Sequence, residues 1–176
     1  YGLLFGVVSK ADSLFAEGDS CYNQLRKRAS LSSSSLSVVS ELKSGSAWYV
    51  PGGCSTIGRL FNDACGRYAF AEDKHSGSIP LAFETVFDKA GDADVWTIKY
   101  NRDRDMTYSD LKADYIGYTG FKAFKTRNIY GCNTAKVPFY EETSFRPDYL
   151  LSDLIQILHP EIGDLGGLRY FCKLNE

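Results

Sequence analysis

The sequence predicts an α/β fold, in which a three-layer αβα lobe with a mostly parallel sheet is preceded by a long helix. Three observations predict it. Helical periodicity runs from residue 2 to about residue 28. Beyond residue 30, short apolar segments alternate with helical ones, which is typical of a parallel sheet with helices on both faces. The segment Val95–Tyr100 includes a brief apolar run, as expected for a strand covered on both sides.

Composition and charge narrow the class of protein. A chain of 176 residues is expected to form one domain with a proper core. Its net charge of −2 gives no support for a broad nucleic-acid-binding surface, and no apolar run reaches the length of a membrane span. The five cysteines follow no zinc or redox spacing, and their odd number rules out complete internal pairing, so we expect mostly free thiols. They are Cys21, Cys54, Cys65, Cys132 and Cys172.

The first helix is expected to be unusually long and to carry one apolar face. At about 1.5 Å per residue it would span roughly 40 Å. Because the pattern starts without a capping residue, we expect that an N-terminal part of the protein has been removed. The apolar positions at helical spacing are Leu4, Val8, Ala11, Phe15, Cys21, Tyr22 and Leu25.

Residues 30–71 are expected to contain a strand, a loop, a helix and a second strand. The loop is Ala47–Gly53, whose aromatic residues precede a proline and two glycines. Ser55 would cap the following helix and Gly66 would end it. The inner face of that helix would carry Ile57, Leu60, Phe61 and Ala64. Strands are expected within Leu36–Leu42 and Arg67–Ala71, with a turn at Lys43–Ser46.

The segment Ser78–Tyr100 reads as a short helix that leads into the buried strand. Ser78 would cap the helix, Pro80 would occupy its first turn and Gly91 would end it. Glu84 lies in the first turns, beside the apolar face, and such carboxylates are common there because they favour the helix dipole. The apolar face consists of Phe83, Val86, Phe87 and Ala90.

The last third of the chain is expected to finish the sheet and cover it. Pro147 would open a final helix, and His159-Pro160 would end it. The tail through Tyr170 and Phe171 is expected to pack back on the body. Between the buried strand and that helix we expect a charged loop, short helices at Tyr108–Ala113 and Tyr115–Phe121, a strand at Asn128–Gly131 and irregular chain at Val137–Thr143.

Two loops are candidates for a ligand site, because ligands on such sheets gather beyond the carboxyl ends of the strands. They are residues 47–55 and 100–105. The glycine turn at 51–55 has free amides that would suit an anion, but a tight turn that needs glycine explains it equally well. It lacks both the dinucleotide fingerprint and the lysine of a phosphate loop.

Cationic and aromatic side chains near these loops would line the opening of a site suited to a planar or anionic ligand. The alternative is a mixed-charge surface loop, in which Asp103 and Asp105 neutralise the arginines beside them. The residues concerned are Lys99, Arg102, Arg104, Tyr100, Trp48 and Tyr49.

Catalytic and metal sites have weaker support. Cys54 near a helix start would need a base, and the chain offers only His75 and His159, neither at a spacing that indicates a dyad. Glu72, Asp73 and His75 are close in sequence, but a solvated loop is the commoner meaning of such a cluster.

Five segments, in order, resemble the C-terminal lobe of class III periplasmic substrate-binding proteins, which serve ABC importers of iron siderophores, haem and vitamin B12. They are FGVVSKADSLFAE, AWYVPGG, SIPLAFETVFDKAGDADVW, FKAFKTRNIYGCN and FRPDYLLSDLIQILHPE. Each motif alone has low specificity, but the occurrence of all five in the same order makes the resemblance specific. The chain departs from the family pattern at Cys54, where we expect a polar residue such as Asn, and at Cys65, where we expect Gly.

The resemblance implies two α/β lobes joined by a long helix, with residues 1–29 forming part of that helix, Tyr1 included, and residues 30–176 the C-terminal lobe. It implies that Glu84 docks on arginines of an ABC permease. Ligand contacts would come from loops that face the cleft. Their matching positions are Trp48, Tyr49, Gly52, Gly53, Ser55, Tyr100, Arg102 and Arg104.

The resemblance also implies transport without catalysis. The protein would capture a small metal chelate (an iron siderophore, haem or a cobalamin-like ligand) and deliver it, with no resident cofactor, no metal site of its own and no nucleic-acid partner. It would be periplasmic, with membrane attachment only through a lipoprotein anchor outside this fragment. Two alternatives stay open: a cysteine or carboxylate hydrolase on the same fold, and a surface binding module without an importer.

Overall fold

A five-stranded sheet forms the centre of the computed structural model, which describes residues 2–163 and 165–176. The strands in chain order are β1 (Ser37–Ser40), β2 (Lys43–Ser44), β3 (Ala47–Pro51), β4 (Arg67–Tyr68), β5 (Ser78–Leu81), β6 (Val95–Tyr100), β7 (Ile129–Asn133) and β8 (Cys172–Lys173). The central sheet has the order β4-β1-β6-β7-β8, parallel except for β8. Strands β2, β3 and β5 form a small antiparallel sheet.

Helices cover both faces of the central sheet. They are α1 (Val8–Ser30), α2 (Thr56–Asp63), α3 (Phe83–Ala90), α4 (Tyr108–Asp114), α5 (Lys122–Lys125), α6 (Phe139–Glu142) and α7 (Pro147–Leu158), with 3₁₀ turns at Ile116–Gly120 and Pro160–Ile162. On one face, Phe61 of α2 and Leu154 of α7 meet Thr97 of β6 around a small cavity. On the other face, Trp96 contacts Tyr118 and Phe121. The predicted three-layer α/β fold is therefore confirmed.

The first helix is shorter than predicted. It begins at Val8, and turns occupy residues 2–6, where Gly6 has a φ of 66°. A left-handed residue of this kind interrupts a helix. Leu4, Val8 and Phe15 of the expected apolar face are exposed, and the buried residues of α1 are Gly18 and Ala29. The C-terminal half of the helix packs on the body through partly buried Cys21, Tyr22 and Leu25. Tyr1 lies outside the described residues.

The segment predicted as a loop (Ala47–Gly53) and the segment predicted as the start of a helix (from Ser78) form two paired strands instead. Ala47–Pro51 forms β3 and Ser78–Leu81 forms β5, with Trp48 opposite Leu81 and Pro51 opposite Ser78. Ser78 therefore caps no helix, and Pro80 lies in an edge strand, where a proline is tolerated. Helix α3 starts only at Phe83, after Ala82.

Other predicted elements match the structure. Ser55 caps α2, since its hydroxyl accepts a hydrogen bond from Gly58 N at 3.1 Å. Strand β6 is buried over nearly all its length, Gly91 ends α3, and Pro147 opens α7. Tyr170 and Phe171 pack back as expected. The predicted irregular stretch contains the single turn α6. Over the described part of the chain, no helix is both long and apolar enough to cross a membrane.

Candidate ligand and docking sites

The loops that leave the carboxyl ends of the parallel strands share one edge of the sheet. They comprise residues 69–77 after β4, 41–42 after β1, 101–106 after β6 and 134–138 after β7. Ligands of open parallel sheets bind beyond such an edge. The small antiparallel sheet lies at the same edge, because β2 and β3 follow β1 directly and β5 follows the loop after β4.

The two aromatic residues predicted for the cleft face opposite ways. Trp48 is wholly buried, and its ring packs on Trp96 with centroids 5.6 Å apart. Its side chain therefore belongs to the core, and the expectation that it lines the cleft is corrected. Tyr49, the next residue along the strand, is 49% exposed and stays a predicted ligand contact.

The glycine turn is enclosed by the loop that follows β4. Gly52 N donates a hydrogen bond to Gly77 O at 2.9 Å. A Cβ at Gly52 would lie 2.4 Å from His75 O, and one at Gly53 would lie 2.1 Å from Ala71 O. Ser55 is buried, and its hydroxyl donates to Gly52 O while it caps α2. The close approach of the two loops thus explains the glycines, and ligand contact by this turn stays a prediction.

The loop after β6 (residues 101–106) is held in place by the buried side chain of Tyr100. Tyr100 is buried, and its hydroxyl accepts a hydrogen bond from Met106 N at 3.1 Å. Burial raises the pKa of Tyr100 above its usual value, although the Met106 N–H opposes this rise. Its ring cannot line a cleft from this position, so that expectation is also corrected.

Asn133 at the end of β7 fixes the same loop, although sequence analysis missed it. Its Nδ2 donates to Arg102 O at 2.8 Å, Arg104 O at 3.3 Å and Asp105 Oδ1 at 3.2 Å. Its Oδ1 accepts from Arg102 N and Ala135 N, both at 3.2 Å. The signal was an asparagine at the end of a strand, and the predicted strand ended two residues too early to place it there.

The predicted cations have carboxylate partners, though not the ones expected. Arg102 pairs with Asp114 at 2.7 Å, and Arg104 binds both oxygens of Asp110 at 2.7 Å. The Arg104 guanidinium, together with the Thr107 N–H, holds the pKa of Asp110 well below its usual range. Asp105 instead pairs with Lys136 at 3.0 Å. The prediction that Asp103 and Asp105 neutralise the arginines beside them is therefore wrong.

The third cation, Lys99, also has a partner. Its ammonium pairs with Glu41, and it lies 5.5 Å from the centre of the Phe139 ring. Both charged side chains are mostly buried. An anionic ligand at this edge would therefore meet cations already in ion pairs, and the roles of Arg102 and Arg104 in ligand binding stay predictions.

Glu84 is the residue predicted to dock on a permease, and that role stays a prediction. It lies in the first turn of α3 and is exposed. Within residues 2–163 and 165–176 its carboxylate makes no ion pair or hydrogen bond, so it is free to meet a cation on another molecule. The ring of Phe83, the residue before it, packs on Tyr115 with centroids 4.8 Å apart, which fixes this end of the helix.

The histidines do not form a dyad with Cys54. The His75 ring faces Asp73, and His159 is fully buried with Nε2 2.6 Å from Ala64 O. The part of the chain that the structure describes shows no hydrogen bond from either ring to Cys54. All five cysteines are free thiols. No group of three or more His, Cys, Asp and Glu side chains suits a metal ion among the residues described.

Comparison with known proteins extends these observations. A family model described as periplasmic binding protein matches residues 2–135. An uncharacterized lipoprotein of Methanocaldococcus jannaschii is 30% identical over 128 residues, which are 72% of this chain and 30% of that protein. The chain therefore spans less than a third of this relative.

Solved structures share the fold over almost the whole chain. A periplasmic haem-binding protein from Pseudomonas aeruginosa matches with a TM-score of 0.74 at 15% identity, over 99% of this chain and 62% of that chain. A TroA-like periplasmic binding protein from Veillonella parvula matches with a TM-score of 0.71 at 14% identity, over 99% of this chain and 59% of that one. The chain thus spans about three-fifths of these structures, and at such identities the likeness shows the fold alone.

Proposed function

The chain belongs to the periplasmic binding protein family and has a class III substrate-binding protein fold, and from this premise we propose that it serves an ABC importer as its substrate-binding component. In this proposal residues 30–176 form the C-terminal lobe, and residues 1–29 form part of a helix that joins it to a second lobe. The protein binds its cargo and releases it to a permease, and it makes or breaks no covalent bond.

The observation that carries the proposal is the state of Glu84. It is an exposed carboxylate on a short, well-packed helix, and it makes no ion pair within the described chain. A fixed, unneutralised charge at a rim orients a partner and speeds association more than it adds affinity. Permease docking through arginine is the role that this geometry fits.

The proposed cargo is a small metal chelate: an iron siderophore, haem or a cobalamin-like molecule. Exposed Tyr49 and the half-exposed Arg102 offer an aromatic and a cationic contact at the carboxyl edge of the sheet. Solved relatives from Pseudomonas aeruginosa and Roseiflexus are described as haem-binding, which supports this class of cargo. The lipoprotein relative supports a periplasmic protein held at the membrane by a lipid anchor. No resident cofactor is proposed.

Charge reversal at Glu84 tests the proposal. In the protein at its full natural length, Glu84→Lys should sharply reduce cargo uptake by cells and leave the affinity for cargo unchanged. Asp19→Lys is the matched control, because Asp19 is exposed on α1 and its carboxylate makes no ion pair with a described residue. Unchanged uptake with Glu84→Lys would remove Glu84 from the docking role. Absence of binding to haem, ferric siderophores and cobalamin alike would contradict the transport proposal.

A further inference from the structure

His159 connects three parts of the chain from inside the protein. It is fully buried directly after α7, and its Nε2 lies 2.6 Å from the carbonyl oxygen of Ala64 at the end of α2. Its Nδ1 lies 3.0 Å from Oγ of Ser32, which belongs to the linker between α1 and β1. Glu161 completes the cluster, because its Oε1 lies 3.6 Å from Nδ1 and forms a hydrogen bond with the Ser32 hydroxyl. The ring therefore holds the linker that joins the long helix to the sheet.

The hydrogen bonds of this cluster determine where its protons lie. A carbonyl oxygen only accepts, so His159 Nε2 carries a proton. Hydrogen bonds, above all from the Ser32 hydroxyl, lower the pKa of Glu161 to about 2, so its ionised carboxylate also only accepts. The Ser32 hydroxyl has a single proton, and the carboxylate of Glu161 and the carbonyl of Ser34 both lie within its reach. No proton of this hydroxyl is then left for Nδ1 of the ring.

The charge on the ring decides whether these hydrogen bonds are satisfied together. In the imidazolium form, Nδ1–H of His159 donates to Ser32 Oγ, and the Ser32 hydroxyl donates to Glu161. In the neutral form, Nδ1 is an acceptor. The Ser32 hydroxyl then donates either to Nδ1 or to the carboxylate, and the other acceptor faces an oxygen without a proton between them. Because a buried acceptor without a donor is costly, loss of the Nδ1 proton weakens the contacts of Ser32.

The neighbouring elements bring further ionisable groups near the ring. The carboxylate of Glu161 faces Nδ1, and its negative charge favours the imidazolium, whereas full burial of the ring opposes it. Arg28, near the end of α1, donates to a carbonyl of the 3₁₀ turn at 3.1 Å, and Asp63 of α2 accepts from the Tyr22 hydroxyl at 2.7 Å. Cys65, which follows α2, is a free thiol. The carboxylate of Glu161 is therefore the charged group that acts on the ring directly.

We infer that His159, Ser32 and Glu161 form a pH-dependent latch, which fixes the linker after α1 while the imidazole is charged and loosens it when Nδ1 loses its proton. The proton is exchanged with solvent, and no bond between heavy atoms forms or breaks. Because residues 31–36 connect α1 to the sheet, the latch sets how firmly the long helix is held on the lobe. This inference goes beyond the transport function proposed above and does not depend on it.

Amide hydrogen exchange in the protein at its full natural length tests the latch between about pH 5 and pH 8, where histidine normally changes its charge. The reporter is the amide of Ser34, which donates to Ser32 Oγ at 3.2 Å. After correction for the intrinsic pH dependence of exchange, its protection should fall roughly tenfold as the pH rises, as expected for the loss of about one hydrogen bond. The NMR shifts of the His159 ring nitrogens should follow the same curve. Protection that stays constant over this range would overturn the inference.

Glu161→Gln separates the latch from ordinary packing. The glutamine amide donates to Ser32 Oγ, which leaves the Ser32 proton free for Nδ1 of the neutral ring. All three side chains then have partners without a charge on the imidazole. The Ser34 amide should therefore keep its low-pH protection up to about pH 8, where the wild type has lost it. A Glu161→Gln variant that exchanges faster than the wild type at every pH would show that Glu161 serves packing alone, and would contradict the latch.

Three further variants assign the pH dependence to this cluster. Ser32→Ala removes the hydroxyl, so the Ser34 amide should exchange fast at every pH in the range. His75→Asn replaces the other of the two histidines, and Cys65→Ala removes the thiol next to Ala64. Both should keep the wild-type dependence on pH. Loss of that dependence in either control would place its origin outside the latch and overturn the inference.

Discussion

The indole Nε1 of Trp48 donates a hydrogen bond of 2.9 Å to the carbonyl oxygen of Ser40. Ser40 is the last residue of β1, so this bond fastens the small antiparallel sheet to the carboxyl end of the central one. The stacked partner, Trp96, repeats the arrangement one residue later, because its Nε1 donates to Glu41 O at 2.8 Å. The two indoles thus fix the backbone of Ser40 and Glu41, where the chain leaves β1 at the edge proposed to bind cargo.

Shortening Trp48 should destabilise the protein strongly. Trp48→Ala removes a wholly buried ring, and we expect a loss of about 3–5 kcal/mol in the free energy of unfolding. Trp48→Phe keeps most of the ring but leaves the Ser40 carbonyl without the indole donor, so we expect a loss on the order of 1–3 kcal/mol. Guanidinium denaturation followed by circular dichroism measures both.

Tyr49→Ala is the control for this pair, because its side chain is about half exposed on the opposite face of the same strand. It should change the free energy of unfolding by about 0.5 kcal/mol or less. Equal losses for Trp48→Ala and Tyr49→Ala would show that Trp48 is not the core residue described above.

Cys65→Gly should stabilise the protein. Cys65 follows α2 with a φ of 54°, and the chain closes the helix there through Cys65 N to Asn62 O and Gly66 N to Phe61 O. This Schellman arrangement favours glycine at the left-handed position, which costs other residues about 1–2 kcal/mol. Allowing for the greater flexibility of glycine in the unfolded chain, we expect a net gain of about 1 kcal/mol.

Urea denaturation of three variants checks this prediction. Cys65→Ala keeps the strained backbone and should be nearly neutral, whereas Cys65→Val should be destabilised because β-branched residues fit this conformation poorly. A Cys65→Gly variant no more stable than Cys65→Ala would contradict the expected relief of strain. The same backbone explains why the family resemblance led us to expect glycine at this position.

Local signals predicted much of the fold. The apolar run of β6, the Ser55 cap of α2 and the Pro147 start of α7 each depend on neighbouring residues, and each is confirmed. Glu84 was also predicted in the first turns of a helix, and it lies there, although the predicted helix start at Ser78 was wrong because α3 begins at Phe83.

The errors arose where distant segments decide the structure. Ala47–Pro51 becomes a strand because residues 78–81 pair with it, and neither segment shows this pairing alone. The available signal was residue type, because Trp48, Tyr49 and Val50 all favour strands, and a proline with two glycines next to them concealed that signal. Likewise, the Asp73–His75 contact depends on how one loop turns, which a cluster of polar residues does not specify.

Asp94 should make the stability of the protein depend on acid pH. Its carboxylate joins three elements at the amino end of the sheet, through Ser37, Arg67 and Lys122. Partial burial disfavours its charge, but the Lys122 ammonium and the Ser37 N–H and hydroxyl outweigh this and hold the pKa of Asp94 well below its usual range. Because the folded-state pKa is lowered, the stabilisation is complete above the unfolded pKa of about 3.9 and is lost as the pH falls below it.

Denaturant midpoints measured from about pH 6 down to about pH 2 test this dependence. Asp94→Asn should be less stable than the wild type at neutral pH and should show a shallower fall in acid. Asp88→Asn is the matched control, because Asp88 is exposed on α3 and makes no ion pair with a described residue, so its curve should parallel that of the wild type. Parallel curves for Asp94→Asn and the wild type would contradict the assignment.

Asn133→Ala should loosen the loop after β6 and lower stability. The side chain is buried and binds backbone groups of Arg102 and Arg104 that would otherwise lack these partners. Leaving such groups without a partner costs on the order of 1–3 kcal/mol. Hydrogen exchange should report the change directly, with faster exchange at the amides of Arg102 and Ala135, which both donate to the Asn133 oxygen.

Two further variants separate the role of this side chain from a general effect of shortening it. Asn101→Ala removes an exposed amide that donates to the Thr134 hydroxyl and to no other residue that the structure describes, so exchange at Arg102 should stay near the wild-type rate. Asn133→Asp keeps the oxygen that accepts from Arg102 N but replaces the donor that faces Asp105 with a second carboxylate. It should therefore destabilise the protein while protecting the Arg102 amide better than Asn133→Ala does. Equal exchange rates in Asn101→Ala and Asn133→Ala would mean that Asn133 does not organise this edge of the cleft.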